Sequence, residues 1–287
     1  MGHTSAGAVA CDAELGGTPR VPCHMVPNRL RLALPFVLLV VPLSAYAGEP
    51  VPRTLDVGGV ARGVLVYLPA TVQETPAPVI VVFHGHGGSG AVVARRFALH
   101  ELWPEAIVLY PSGLPSPGKN DPEGKRPGWQ KAAGEQGDRD LAFLDAMLAK
   151  VKEEAKVDET RIYATGHSNG AAFTYLACAM RPVFAAIAPS AGGSVRSVAA
   201  MKPTPVLHFA GEKDEISPFA VQQKTMDAVR ALNQCDATGT EWAPLATLFA
   251  SKVEAPFVAH IHAGGHELPE AAPALIVRFF KEHARKK

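Results

Sequence analysis

Between residues 52 and 284, short runs of consecutive apolar residues alternate with stretches whose apolar positions recur every three or four residues. The first kind predicts strands at 62–68 (RGVLVYL), 79–83 (VIVVF), 106–110 (AIVLY), 161–165 (RIYAT), 184–188 (FAAIA), 205–210 (PVLHFA) and 257–262 (FVAHIH). The middle runs are apolar throughout rather than alternating, as parallel strands covered on both faces require. The second kind predicts helices at 139–152, 168–180, 218–232 and 273–284. In the first of these, Leu141, Leu144, Leu148 and Val151 form one stripe behind Asp138 and Asp140, two candidate N-caps. Residues 168–180 are almost wholly apolar, so that helix should be buried, and Pro218 and Pro273 suit the starts of the last two. Strand–helix alternation of this kind defines an α/β protein with a mostly parallel central sheet and helices on both faces. With no internal repeat and no linker, residues 48–287 read as a single domain.

Two segments break the rhythm. Residues 32–43 (LALPFVLLVVPL) are twelve uncharged apolar residues, too few to span a bilayer, which takes about 20. Arg29 and Arg31 precede them and Ala45-Tyr46-Ala47 follows, so residues 25–47 read as a secretory signal peptide cleaved before Gly48. A buried core helix is the alternative, and Pro35 and Pro42 oppose it. Residues 1–24 are expected to lie upstream of a translation start at Met25 or to be structureless. No cysteine follows the cleavage site to carry a lipid, so the expected product is secreted or periplasmic, with no stable membrane anchor. The second segment, 111–137, holds five prolines and six glycines and leaves the carboxyl end of strand 106–110, where open α/β sheets bind ligands. Its one aromatic residue, Trp129, is assigned to substrate contact, the alternative being a pin that fixes the loop to the body.

Composition narrows the function. A net charge of +1 over 287 residues excludes the basic excess that phosphate contacts demand, so nucleic acid is not an expected partner. A hydrophobic share of 47% excludes disorder, and four cysteines exclude a disulfide scaffold. Cys178 and Cys235 would remain after cleavage, and spacing does not decide whether they pair.

The chemistry starts at Gly166-His167-Ser168-Asn169-Gly170, a G-x-S-x-G between a predicted strand and a predicted apolar helix. That is the setting of a nucleophile elbow, with the helix N-terminus beside the hydroxyl. A serine hydroxyl needs a base, and the base needs an orienting carboxylate. In this topology both follow the serine on loops after later strands. Asp214, just beyond strand 205–210, is the candidate acid, with Glu212 and Glu215 as solvated rivals. His266, after strand 257–262, is the candidate base. Asp140, Asp145 and Asp158 precede the serine and read as cap or surface residues. An oxyanion needs two N–H donors. Those assigned are the amide of Asn169 and that of His86, the latter in the glycine-rich loop His84-Gly85-His86-Gly87-Gly88-Ser89-Gly90.

HGHGGSG, YPSGL, GWQ, DLAFLDAML, RIYATGHSNGAA, FAAIAPSAG, GEKDEISPF and AGGHELP occur in this order. In them the chain resembles the secreted polyhydroxybutyrate depolymerase and feruloyl esterase group, α/β-hydrolases related to acetyl xylan esterases. The likeness spans nearly all of 52–284. It implies the α/β-hydrolase fold, an ester substrate, no cofactor, Ser168 as nucleophile, Asp214 as acid and His266 as base. Members often carry Cys where His86 stands and Trp shortly after the GGH block, where this chain has Glu267-Leu268-Pro269. The expected reaction is acyl transfer from an ester to Ser168 and then to water. The competing readings are a serine peptidase of the same fold, a metal-dependent hydrolase using the closely spaced histidines His84/His86 and His260/His262/His266, and a non-catalytic binding module.

Overall fold

A computed structural model describes residues 49–286. The expected leader, and the segment before it, lie outside the described residues. Twelve strands and seven helices follow in the order β1 (Val51–Val57), β2 (Val60–Tyr67), β3 (Ala77–Phe83), α1 (Gly90–Phe97), α2 (Leu99–Leu102), β4 (Ile107–Pro111), β5 (Leu114–Pro115), β6 (Pro127–Gly128), α3 (Arg139–Glu154), β7 (Val157–His167), α4 (Asn169–Met180), β8 (Ala186–Ser190), α5 (Val195–Val198), β9 (Val206–Gly211), α6 (Phe219–Leu232), β10 (Thr240–Ala243), β11 (Ala246–Phe249), β12 (Phe257–His262) and α7 (Ala272–Lys281).

Ten strands form one sheet in the order β1-β2-β4-β3-β7-β8-β9-β12-β11-β10. The six central strands, β4 to β12, run parallel, and an antiparallel pair closes each edge. Every residue of β3 and β4 is buried, whereas β1 alternates half-buried with exposed positions because only one of its faces is covered. Its Pro52 is tolerated there, since an edge strand has a side that pairs with nothing. One apolar layer, including Phe143, Phe173, Val198 and Met226, packs α3, α4, α5 and α6 on one face. The other, including Phe97, Leu99, Ile276 and Phe279, packs α1, α2 and α7 on the opposite face.

Several features differ from expectation, the short helices α1, α2 and α5 among them. The strands β1, β10 and β11 widen the sheet beyond the predicted strands, because half-exposed edge strands carry little apolar signal. Asp140 is no cap. It is 1% exposed, and the buried Arg62 donates to its Oδ1 at 2.8 Å, the guanidinium lying 4.2 Å above the Phe143 ring. The Gln130 amide donates to Oδ2 (2.8 Å), so this carboxylate ties β2, α3 and the 111–137 segment together. That segment is ordered: β5 and β6 pair as a short ribbon, and Asp121 accepts from the amides of Lys125 and Arg126. Cys178 and Cys235 are free thiols. Among the described residues, no helix is long and apolar enough to cross a membrane.

Candidate active site

At the turn from β7 to α4, Ser168 has φ 58° and ψ −120°, a strained conformation for a residue with a Cβ. A Cβ on Gly166 would run into the Gly170 carbonyl, and one on Gly170 into the Phe83 carbonyl, so only glycine fits two residues to either side. The strain lifts the Ser168 side chain off the sheet at the positive end of α4.

Two loops at the carboxyl ends of β9 and β12 supply its partners. The Ser168 hydroxyl donates to His266 Nε2 at 2.8 Å, and His266 Nδ1–H donates to Asp214 Oδ2, also at 2.8 Å. This tautomer follows because an ionised carboxylate only accepts. The Asp214 side chain is buried and its other oxygen takes the amides of Ile216 (2.9 Å) and Ser217 (2.8 Å). Glu212 and Glu215 lie on the exposed surface instead.

Behind Asp214 runs a buried relay that no local sequence signal announces. Gln222 Nε2 donates to Asp214 Oδ2 (3.0 Å) and to the Ser217 carbonyl (2.7 Å). That leaves Gln222 Oε1 to accept from His208 Nε2–H (3.3 Å), while His208 Nδ1 accepts from the Tyr175 hydroxyl (2.8 Å). Every donor meets an acceptor only when His208 is neutral. Burial pushes the His208 imidazole down to about 4, the bond to Gln222 partly opposing the shift. His167, whose ring centre lies 4.9 Å from that of His266, is pushed down to about 3 by burial, with repulsion from Arg96 and His266 adding to it.

These two histidines make stability depend on pH. At pH 7.5 both are neutral, folded or unfolded, and contribute no pH dependence. Below about 6.5 the unfolded chain binds protons that the folded chain refuses, so stability falls as pH drops, until the folded values near 4 and 3 are reached. The expected slope is about 1.4 kcal/mol per pH unit for each histidine, before any carboxylate titrates. Urea midpoints at pH 7.5, 6 and 5 measure it, and a flat series contradicts the buried neutral pair.

His86 and Asn169 line the same cleft as Ser168. Among the described residues, no acceptor takes the main-chain N–H of either, so both are open to a ligand oxygen. The Asn169 side chain also anchors a neighbouring loop, its Oδ1 accepting from the Trp129 amide (2.7 Å) and its Nδ2 donating to the Trp129 carbonyl (3.1 Å). The expectation that Trp129 faces substrate does not hold. Its indole is 1% exposed, stacks on Phe173 (5.3 Å between centres), meets Phe83 edge-on and donates Nε1–H to the His84 carbonyl (2.8 Å). A flat apolar ring with one donor gains more by burial against two phenyl rings than at a wet rim. It therefore pins the 111–137 segment to the nucleophile turn.

The histidine pairs do not assemble as ligands. His84 Nδ1 donates to the Gly85 carbonyl (2.7 Å) and Nε2 accepts from the Gly113 amide (2.8 Å), which uses both ring nitrogens. His86 Nε2 pairs with Asp121 Oδ2 (3.0 Å), and His260 is buried beside Phe209. Among the described residues, no group of three His, Cys, Asp or Glu side chains is placed to hold a metal ion.

A sheet of this order with a serine–histidine–aspartate chain at its carboxyl edge defines an α/β-hydrolase. Within that class, the model of the dienelactone hydrolase family matches residues 63–237, more than half of the chain, and the chain belongs to that family. One relative is the protein named "Probable feruloyl esterase C" from Aspergillus clavatus, 34% identical over 100 residues, 34% of this chain and 35% of that protein. The matched stretch spans 35%, 43% and 36% of the length of three such relatives. Among solved structures, the acetyl xylan esterase from Aspergillus awamori superposes with a TM-score of 0.63 at 15% identity, covering 82% of this chain and 99% of that one. An acylaminoacyl peptidase from Pyrococcus horikoshii superposes with a TM-score of 0.60 at 15% identity, covering 84% of this chain and 42% of that one. At those identities the likeness is one of fold.

Proposed function

We propose that this chain is a carboxylic-ester hydrolase working through Ser168, His266 and Asp214. The observation that carries the reading is the unbroken hydrogen-bond chain from the Ser168 hydroxyl through the imidazole to a buried carboxylate. His266 Nε2 takes the hydroxyl proton as Ser168 Oγ attacks the ester carbonyl carbon. Asp214 holds the ring in the required tautomer and stabilises the imidazolium. The amides of His86 and Asn169 receive the oxyanion. His266 then protonates the leaving alcohol, water enters, the imidazole takes a proton from it, and the acyl-serine is hydrolysed to acid and free serine.

Family membership and relatives named for feruloyl and acetylxylan ester cleavage support an ester over an amide substrate. The cleft supports a modest acyl group. Its lining includes Ala172, Ala191, Gly192 and Gly193 beside Ser168, and its volume is about 400 Å³. The polyhydroxybutyrate reading keeps the same chemistry with a hydroxyacyl ester. Export behind a leader at 25–47 completes the proposal, with residues 48–287 as the catalytic domain. Methyl ferulate, acetylated xylan, hydroxybutyrate oligomers and a peptide anilide, offered side by side to the purified protein, test it. The expected result is turnover of one or more esters and none of the anilide; anilide cleavage without ester cleavage contradicts it.

A further inference from the structure

Both proposed oxyanion donors are main-chain amides, and the side chains of both residues reach for one segment. His86 Nε2–H donates to Asp121 Oδ2 (3.0 Å), and Asp121 is itself fixed by the amides of Lys125 (3.1 Å) and Arg126 (2.8 Å). Next to His86, the Gly87 amide donates to the Pro127 carbonyl (2.7 Å). Asn169 is latched to the main chain of Trp129 by one bond in each direction. Gly128 lies between these tethers. A Cβ there would stand 2.7 Å from His86 Nδ1 and 3.0 Å from Asn169 Oδ1, so only bare backbone fits between the two side chains. Gly118 backs the His86 ring in the same way, its Cβ position lying 2.9 Å from Cε1. Residues 118–129 therefore grip both donor residues at once.

The Ser168 turn carries one donor on the first turn of a helix, but the other has no such frame. His86 stands between Gly85 and Gly87, the latter left-handed at φ 79°, so its own loop does little to set the plane of its amide. A donor stabilises an oxyanion only within about 2.7–3.1 Å of it, and a displacement of about 1 Å costs on the order of 10²-fold in rate. We infer that residues 118–129 are a clamp that sets the spacing of the two oxyanion donors, with Asp121 and Gly128 as positioning residues acting through His86 and Asn169. This rests on the esterase reading above and adds what holds its oxyanion hole in shape.

The test uses Asp121→Ala, Asn169→Ala and Gly128→Ala, all of which keep both N–H donors, so that the hole changes only by displacement. Two probes separate the hole from the rest of the cleft. A trifluoromethyl ketone analogue of the ester reads the hole: Ser168 Oγ adds to the ketone carbon, its proton passes to His266 Nε2, and an anionic oxygen is left facing the two amides. An ether analogue without a carbonyl reads ground-state binding alone. In each variant, kcat/KM for an acetyl ester and affinity for the ketone are expected to fall together by about tenfold to a hundredfold, while affinity for the ether stays within about twofold. The sign is informative in Asp121→Ala, because deleting a carboxylate near the hole would by charge alone favour the oxyanion. Asp121→Asn, which keeps an oxygen for His86 Nε2–H, should recover part of the loss. Unchanged ketone affinity, or an equal loss on ketone and ether, overturns the clamp while leaving ester hydrolysis standing. Wild-type protein that neither cleaves the ester nor binds the ketone sinks the esterase reading instead. The tethers are independent, so any one variant that folds decides.

Discussion

Ser168→Ala is expected to lower kcat for ester hydrolysis by about 10⁶-fold, and His266→Ala by a similar factor, with the double variant little worse than either. The non-additivity is the informative part. In the proposed mechanism Oγ is a nucleophile only while Nε2 sits 2.8 Å away to take its proton, and the imidazole has no proton to move without Oγ. The activity expected to remain, about 10³–10⁴ over water, is that of the proposed oxyanion hole at the His86 and Asn169 amides. Single-turnover rates for the three variants check this. Losses that multiply would mean the two side chains act separately.

Asp140→Ala is expected to cost about 3–5 kcal/mol of stability, read as a lower urea midpoint. The substitution leaves the Arg62 guanidinium, 1% exposed, without its carboxylate and leaves the Gln130 amide without its acceptor. Burial already works against charge on Arg62, and Asp140 opposes that effect. Replacing both partners, Arg62→Met with Asp140→Leu, should recover the part of the loss that the unpaired guanidinium causes, but not the part due to the Gln130 amide. A single-variant cost under about 1 kcal/mol would show that the pair is not structurally important. The same variant should loosen the base of the 111–137 segment.

What the sequence makes legible depends on where the deciding forces lie. The central strands at 79–83 and 106–110 announce themselves because burial on both faces leaves no room for polar alternation. Ser168, Asp214 and His266 stand out because each sits on a turn whose neighbours reveal it: glycines around the serine, a strand end before the acid, Gly264-Gly265 before the histidine. Trp129 reads wrongly as a substrate contact because nothing in a proline- and glycine-rich stretch shows that Phe83 and Phe173 wait for its ring. Asp140 reads as a cap since its partner, Arg62, lies 78 residues away. Gln222, His208 and Tyr175 are invisible for the same reason. A glutamine on a helix, a histidine in a strand and a tyrosine in an apolar helix gain meaning only when packing aligns their donors and acceptors.

The most direct test is chemical. The protein is mixed with a slowly deacylating aryl ester, quenched in acid within the burst and digested for mass spectrometry. The acyl mass is expected on the peptide bearing Gly166-His167-Ser168-Asn169-Gly170, at Ser168, and should vanish in Ser168→Ala. Rapid ester turnover with no acylated serine, or with the acyl group on another residue, would contradict a Ser168 nucleophile.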